Sequence, residues 1–223
     1  MNHFDYKGSY RRNLPHIQPK GAILFVTFRL TGSLPKSLTA QWREERKWLA
    51  HLEKTNPDYF TRVKRDFERS WFAKFEAVLD GGSSGPLWLK EERVADEVAD
   101  SLHLLDGSIY RLEAFSIMPN HVHVVFKPLP TKAHDDEATY PSLSSIMQSL
   151  KGNTALACNR LLNRAGAFWA HESYDHYVRD HDEWLRIIAY VLKNPVKAGF
   201  VKAWKDWKWN YRRESGFFSK SAN

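Results

Sequence analysis

Two histidines separated by one valine are the clearest candidates for chemistry in this chain of 223 residues. His121 and His123 lie in an apolar, β-forming run that continues to Phe126. Side chains alternate between the two faces of a strand, so both imidazoles are expected on one face, where they can meet a common metal ion. Val122 and Val124 then face a core. Taken alone, such a triplet is also typical of ordinary half-buried histidines.

A second segment near the C-terminus offers the remaining groups that a site of this kind needs. Asp180 and Glu183 form a capping-box-like start to a helix with one apolar stripe. Tyr190 and Asn194 are one helical turn apart on one face, where a nucleophile and a metal ligand can act together. Pro195 disfavours helical geometry at the residue before it, which predicts that the regular helix ends or kinks at Asn194.

The combination of motifs resembles the REP-associated tyrosine transposases, relatives of the single-tyrosine HUH transposases. The resemblance covers the chain from about residue 10 to about residue 210. Each motif alone is weak, and the specificity lies in their combination. The segments that carry it are residues 10–16, 25–30, 118–123 and 169–180, the tyrosine helix, and residues 194–199.

The resemblance implies metal-dependent nicking and strand transfer of single-stranded DNA. The metal ligands would be His121, His123 and Asn194, and helix and strand geometry makes that set feasible. The ion would be magnesium or manganese, while zinc would bind tightly but inhibit.

Tyr190 would complete the catalytic set as the nucleophile, forming a 5′-phosphotyrosine and releasing a 3′-hydroxyl. The bond energy is kept, so no nucleotide cofactor is needed. Tyr174 and Tyr177 compete for this role in principle, but neither has an asparagine four residues later. The residues do not identify a proton acceptor.

Charge favours a polyanionic partner, because the net charge is +7 and the isoelectric point is about 9.4. The resemblance implies recognition of repetitive extragenic palindromic hairpins, read partly by an N-terminal arm. Any single cation is better explained as a solvated surface charge. The sequence leaves open a monomer or a homodimer. The candidate DNA-binding residues are Arg11, Arg12, Lys151, Arg179, Lys193 and Lys197.

Interleaved helices and hairpin-connected strands predict an α+β fold with an antiparallel sheet. The resemblance implies a sheet of the ferredoxin-like or RNA-recognition-like type, flanked by helices as in HUH endonucleases. We expect one domain over residues 1–223, with a helical insertion at about 37–80 and a basic, tryptophan-rich tail from about 203. Residues 110–116 and 121–127 are expected to form an antiparallel pair. Gly152 and Asn153 interrupt the middle of a predicted helix that runs from Pro141 to Leu161, where they mark either a bend or a contact point.

Composition also narrows the class of protein. Cys158 is the only cysteine, which excludes an intramolecular disulfide and a cysteine-rich zinc site. The first residues lack the apolar core of a signal peptide, and no apolar run approaches the roughly 18 residues of a membrane span. We therefore expect a cytoplasmic protein, and the resemblance implies a bacterial one that acts at the nucleoid.

Two other functions remain open at this point. The first is a domesticated hairpin-DNA-binding protein that has lost turnover, although the intact set of histidines, tyrosine and asparagine argues against it. The second is a metal-dependent phosphodiester hydrolase that uses the histidines and water, with no covalent intermediate.

Overall fold

The computed structural model describes residues 9–11, 15–17, 19–82, 85–131 and 139–214. Within these residues the strands are β1 (Ser9–Arg11), β2 (Pro15–Ile17), β3 (Leu24–Leu30), β4 (Tyr110–Ile117), β5 (His121–Pro128), β6 (Trp169–Tyr177) and β7 (Asn210–Arg212). The α-helices are α1 (Lys36–Thr55), α2 (Pro57–Asp80), α3 (Glu92–Leu104), α4 (Leu143–Leu161) and α5 (His181–Lys197). Short 3₁₀ helices cover Trp88–Lys90 and Trp204–Asp206.

Five strands form an antiparallel sheet in the order β6-β3-β5-β4-β7. Strands β3, β4, β5 and β6 alone, with the helices between them, have the order and connections of a βαββαβ ferredoxin-like unit. The predicted α+β class with an antiparallel sheet is therefore confirmed, and the histidine strand β5 lies at its centre. The register places Thr27 of β3 opposite His123.

The two faces of the sheet pack against different helices. One face carries the alternating residues Val122, Val124 and Phe126, which pack with α3 and α4 in the larger core. The opposite face carries Phe25 and Val125, which pack with α5 in a smaller core. Because side chains alternate along β5, His121 and His123 are on this second face, within the sheet surface that α5 covers.

Helices α1 and α2 form an antiparallel pair between β3 and α3, close to the bounds expected for the insertion. Asn56 separates them and caps α2, since its side chain accepts a hydrogen bond from the Tyr59 amide at 3.2 Å. The Trp71 indole donates to Glu45 at 2.9 Å and lies 6.5 Å from the Trp42 ring. Aromatic packing and one hydrogen bond thus hold the two helices together.

Two helices continue through residues where the sequence marks an interruption. Helix α4 continues through Gly152 and Asn153, because the flanking Leu150 and Thr154 are anchored in the core. Helix α5 continues through Pro195 to Lys197. Proline lacks one amide donor, but the following turn is closed by the Ala198 amide, which donates to the Asn194 carbonyl at 2.9 Å.

The tryptophan-rich tail packs against the rest of the fold. Strand β7 pairs with β4 and so extends the sheet by one strand. The Trp207 indole donates to the Ile117 carbonyl at 3.0 Å, and the Trp209 indole donates to Asp96 at 2.8 Å. Among the described residues, no helix has both the length and the apolar character needed to cross a bilayer.

Candidate active site

The two histidines of β5 are brought together in a buried setting. Both side chains are fully buried, and their Nε2 atoms are 3.0 Å apart. The orientation of each ring is set by a hydrogen bond at its other nitrogen, Nδ1. His121 Nδ1 lies 2.7 Å from the Asn120 side-chain oxygen, and His123 Nδ1 lies 2.8 Å from the Thr27 hydroxyl.

The hydrogen bonds at the Nδ1 atoms decide which nitrogen of an imidazole is free to bind a metal ion. An amide oxygen only accepts hydrogen bonds, so Asn120 requires the proton of neutral His121 on Nδ1 and leaves the Nε2 lone pair directed at the site. Burial lowers the pKa of His121 to about 3, so this imidazole is neutral in the folded protein. A neutral imidazole with a free nitrogen is the form that binds metal ions.

Asn194 of α5 reaches the same point from the neighbouring helix. Its side-chain nitrogen lies 3.2 Å from His123 Nε2, and the residue is buried. Its side-chain oxygen is also buried and accepts no hydrogen bond from any described residue. Rotation of the amide group exchanges the two atoms, which would turn the unpaired oxygen toward the imidazoles.

Glu76 of α2 is the functional candidate that the sequence interpretation missed. It is only 4% exposed, and its Oε2 atom lies 3.3 Å from His123 Nε2. The same oxygen accepts a hydrogen bond from the Tyr190 hydroxyl. Potential ligand atoms of Glu76, His121 and His123 all lie within 4.8 Å of one another.

One signal in the sequence marks Glu76. It lies four residues after Phe72 and three before Leu79, within the apolar stripe of an otherwise charged helix. A carboxylate at such a position is buried, and a buried carboxylate needs a partner. Only the fold shows that this partner is His123, on a strand more than forty residues later in the chain.

Tyr190 and Glu76 change one another's proton affinity. Burial raises the pKa of Tyr190, and the adjacent Glu76 carboxylate raises it further. Burial also acts to raise the pKa of Glu76, but His123, His121 and the Tyr190 hydroxyl outweigh it and hold that pKa below its usual range. The resting arrangement is therefore a protonated phenol that donates to a carboxylate.

The residues fit a divalent cation. Two imidazoles, a carboxylate and an amide oxygen are a donor set that magnesium, manganese and other divalent ions accept. The Asn194 side-chain oxygen has no hydrogen-bond donor among the described residues. Polar atoms of His121, Asn194 and Glu76 all lie within 3.3 Å of His123 Nε2. Both features are expected where several side chains converge to bind one metal ion. Nothing else among the described residues gathers three such metal-binding side chains.

Of the three tyrosines considered from the sequence, Tyr190 lies nearest this group. Its ring centroid is 5.4 Å from that of His123. Tyr174 instead stacks on Phe72 at 4.3 Å, and Tyr177 packs at the edge of the larger core on the other face of the sheet. The fold thus separates the three tyrosines that the sequence left in competition.

An aromatic cleft adjoins the site between the α1–α2 pair and β6. Thr27 and Glu76 line its inner side. Burial lowers the pKa of Arg29 to about 10, which marks this cation at the cleft as largely removed from water. The aromatic lining consists of Trp42, Phe67, Trp71, Phe72, Phe75 and Tyr174.

Three of the predicted DNA-binding cations already have partners in the fold. Lys151 donates to the carbonyl groups of Ala170 and His171 on β6, at 3.0 and 3.2 Å. Arg179 lies 3.8 Å from the Glu183 carboxylate. Lys197 lies 2.7 Å from Asp80, so it joins α5 to α2 beside the site.

Of the other three cations, two belong to the part of the chain that the structure describes. Lys193 is exposed on α5. Arg11 belongs to β1, which pairs with β2, while Arg12 lies outside the described residues. Their assignment to DNA binding stays a prediction.

Similarity to known proteins was found by sequence and by structure. The chain is 29% identical over 156 residues to a protein of Haemophilus influenzae described as a REP-associated tyrosine transposase, covering 67% of this chain and 84% of that protein. It is 29% identical over 98 residues to the REP-associated tyrosine transposase of Escherichia coli K12, which covers 44% of this chain and 52% of the relative.

A solved structure of a REP-associated tyrosine transposase bound to a REP hairpin aligns with a TM-score of 0.47 and 17% identity, over 90% of this chain and 80% of that chain. No family model matches the sequence.

Proposed function

Because this chain is a relative of the REP-associated tyrosine transposases, we propose that it nicks and rejoins single-stranded DNA through a 5′-phosphotyrosine. The substrate would be a repetitive extragenic palindromic hairpin with a short unpaired flank. The observation that carries the proposal is the buried convergence of two imidazoles and an asparagine beside Tyr190.

His121, His123 and Asn194 would hold a divalent metal ion, magnesium or manganese. When bound, the ion supplies positive charge to a phosphate oxygen and so favours nucleophilic attack. Asn120 and Thr27 orient the two imidazoles, and β3 and β5 keep both rings in one fixed arrangement.

The Tyr190 oxygen would attack the phosphorus atom and form the new P–O bond. The bond from phosphorus to the 3′ oxygen breaks, and that oxygen leaves as a hydroxyl after gaining a proton. The 5′ phosphate stays on Tyr190, so a later attack by a 3′-hydroxyl restores a phosphodiester and frees the tyrosine. The number of phosphodiester bonds is conserved, so the exchange needs no nucleotide cofactor.

The aromatic cleft beside Glu76 suits an unpaired nucleotide at the cleavage position. Aromatic faces stack on any base, and a nearby cation holds the backbone phosphate. Phe72, Tyr174 and Arg29 provide these groups at the cleft. The hairpin stem would lie outside the cleft.

The test uses purified protein with 5′- and 3′-labelled hairpin DNA from the flanks of its own gene, in manganese or magnesium. Denaturing gels should show a protein-linked DNA fragment that is lost with EDTA and in Tyr190→Phe. Tyr174→Phe is the matched control, because it removes a hydroxyl from the same cleft and should keep the adduct.

Two outcomes contradict the proposal. Cleavage with no adduct indicates hydrolysis by water and removes Tyr190 from the nucleophile's role. Tight binding of several hairpins with no cleavage indicates a DNA-binding protein without turnover.

A further inference from the structure

We propose that Glu76 is a ligand of the metal ion, so that the α1–α2 insertion supplies part of the catalytic centre. The inference rests on the divalent cation of the proposed function and adds to it an anionic ligand from outside the sheet and the tyrosine helix. Its basis is the position of one oxygen, Glu76 Oε2, beside His123 Nε2 at 3.3 Å.

The charge balance of the site supports this role. Glu76 is buried, and its polar partners are His123 and Tyr190 rather than a lysine or arginine. A carboxylate removed from water is costly unless a positive charge compensates it. A divalent cation held by the imidazoles would supply such a charge to Glu76 Oε2, which lies 3.3 Å from His123 Nε2.

The geometry of α2 also points to this role. Asn120 donates from its side-chain nitrogen to the Leu79 carbonyl at 3.0 Å, which fixes the end of α2 against the residue that orients His121. One turn after Glu76, Asp80 pairs with Lys197 of α5. Contacts with Asn120 and with α5 thus hold the end of α2 in place, and the Glu76 carboxylate is positioned by the helix as well as by its own side chain.

One atom, Glu76 Oε2, has two neighbours. It faces His123 and also accepts the hydrogen bond of the Tyr190 hydroxyl. Tyr190 would share this acceptor with the bound ion, and its hydroxyl would be freer to turn toward a phosphate. Glu76 is thus a metal ligand that also positions the nucleophile.

The experiment measures Mn²⁺ binding to the full chain without DNA, by calorimetry and by the loss of the free-ion EPR signal. Glu76→Gln keeps the size of the side chain and removes its charge, and we expect it to weaken Mn²⁺ binding by at least roughly tenfold. Asp66→Asn is the matched control, because it removes the charge of an exposed carboxylate on the same helix, away from the site, and its affinity should stay within about twofold of wild type. His123→Ala should abolish binding.

The outcomes separate the two proposals. If His123→Ala abolishes Mn²⁺ binding while Glu76→Gln binds as well as wild type, Glu76 is not a ligand and the proposed function stands. If the wild-type protein binds no Mn²⁺, both the metal-dependent function and the role of Glu76 are wrong. If Asp66→Asn weakens binding as much as Glu76→Gln, the loss is a general effect of removing negative charge from α2 and the assignment of Glu76 fails.

A second measurement on the wild-type protein covers the case in which Glu76→Gln does not fold. Amide hydrogen exchange in the C-terminal half of α2 should slow when Mn²⁺ is added, because a ligand on that helix ties it to the sheet. Unchanged exchange in α2, with protection confined to β5 and α5, would overturn the inference.

Discussion

Acid should destabilise this protein through His121, and the effect can be isolated by one substitution. His121 is fully buried with a pKa of about 3, whereas in the unfolded chain its pKa is close to 6.5. Between these values the unfolded state binds a proton that the folded state does not. Stability therefore falls as the pH drops below about 6.5.

The magnitude follows from that difference. Each pH unit below 6.5 favours the unfolded chain by about 1.4 kcal/mol, so His121 alone should cost roughly 2 kcal/mol between pH 7 and pH 5. Glu76 does not interfere in this window. Its pKa is depressed below the usual value near 4.5, so the stability linked to that carboxylate is lost only in more acidic solution.

The assay is chemical denaturation at pH 7, 6 and 5 in the presence of EDTA. It compares wild type with His121→Gln, whose side chain carries no charge at any of these pH values. The variant should lose roughly 2 kcal/mol less than wild type over this range, whatever its stability at pH 7. Equal losses in the two proteins would refute the reasoning, because His121 would then be as easily protonated in the folded state as in the unfolded one.

Three further predictions concern stability. Trp71→Phe removes the indole hydrogen bond to Glu45 and should cost about 1 kcal/mol in denaturant unfolding, and no loss would mean that this bond between α1 and α2 is not formed. Phe126→Ala empties a fully buried position in the larger core and should cost about 3–5 kcal/mol, whereas a cost below about 1 kcal/mol would contradict the packing described. Gly85→Ala should lower the melting temperature by several degrees, because Gly85 has φ +76° and an added Cβ would lie 2.2 Å from the Gly32 carbonyl oxygen. An unchanged melting temperature would show that the Gly85 turn has another geometry.

The local sequence pattern was sufficient to predict the strand that carries the histidines and the helix that carries the tyrosine. Alternation in residues 121–127 predicts a strand with both imidazoles on one face. The structure has a strand from His121 to Pro128, and the two Nε2 atoms are 3.0 Å apart. The capping pattern at Asp180 likewise predicts the start of α5. In the structure, the Asp180 side chain accepts a hydrogen bond from the Glu183 amide at 2.7 Å. These features depend only on neighbours in sequence.

Glu76 and the two uninterrupted helices show where local pattern fails. The contact of Glu76 with His123 joins positions far apart in the chain, so no local spacing encodes it. Gly152 and Pro195 reduce helix propensity, but that cost is about 1 kcal/mol for glycine and is offset by the buried residues on either side. Tertiary packing outweighed the local signal at both positions.

The bond from Asn120 to the Leu79 carbonyl limits how far the chain can be shortened. A designer seeking a minimal version of this protein would be tempted to replace α1 and α2 by a short loop, since the four-stranded unit is complete without them. That deletion would expose the side chain that sets the tautomer of His121 and open one wall of the cleft. The arrangement of His121 in the sheet therefore depends on α1 and α2, and a shortened protein that keeps this site must retain both helices.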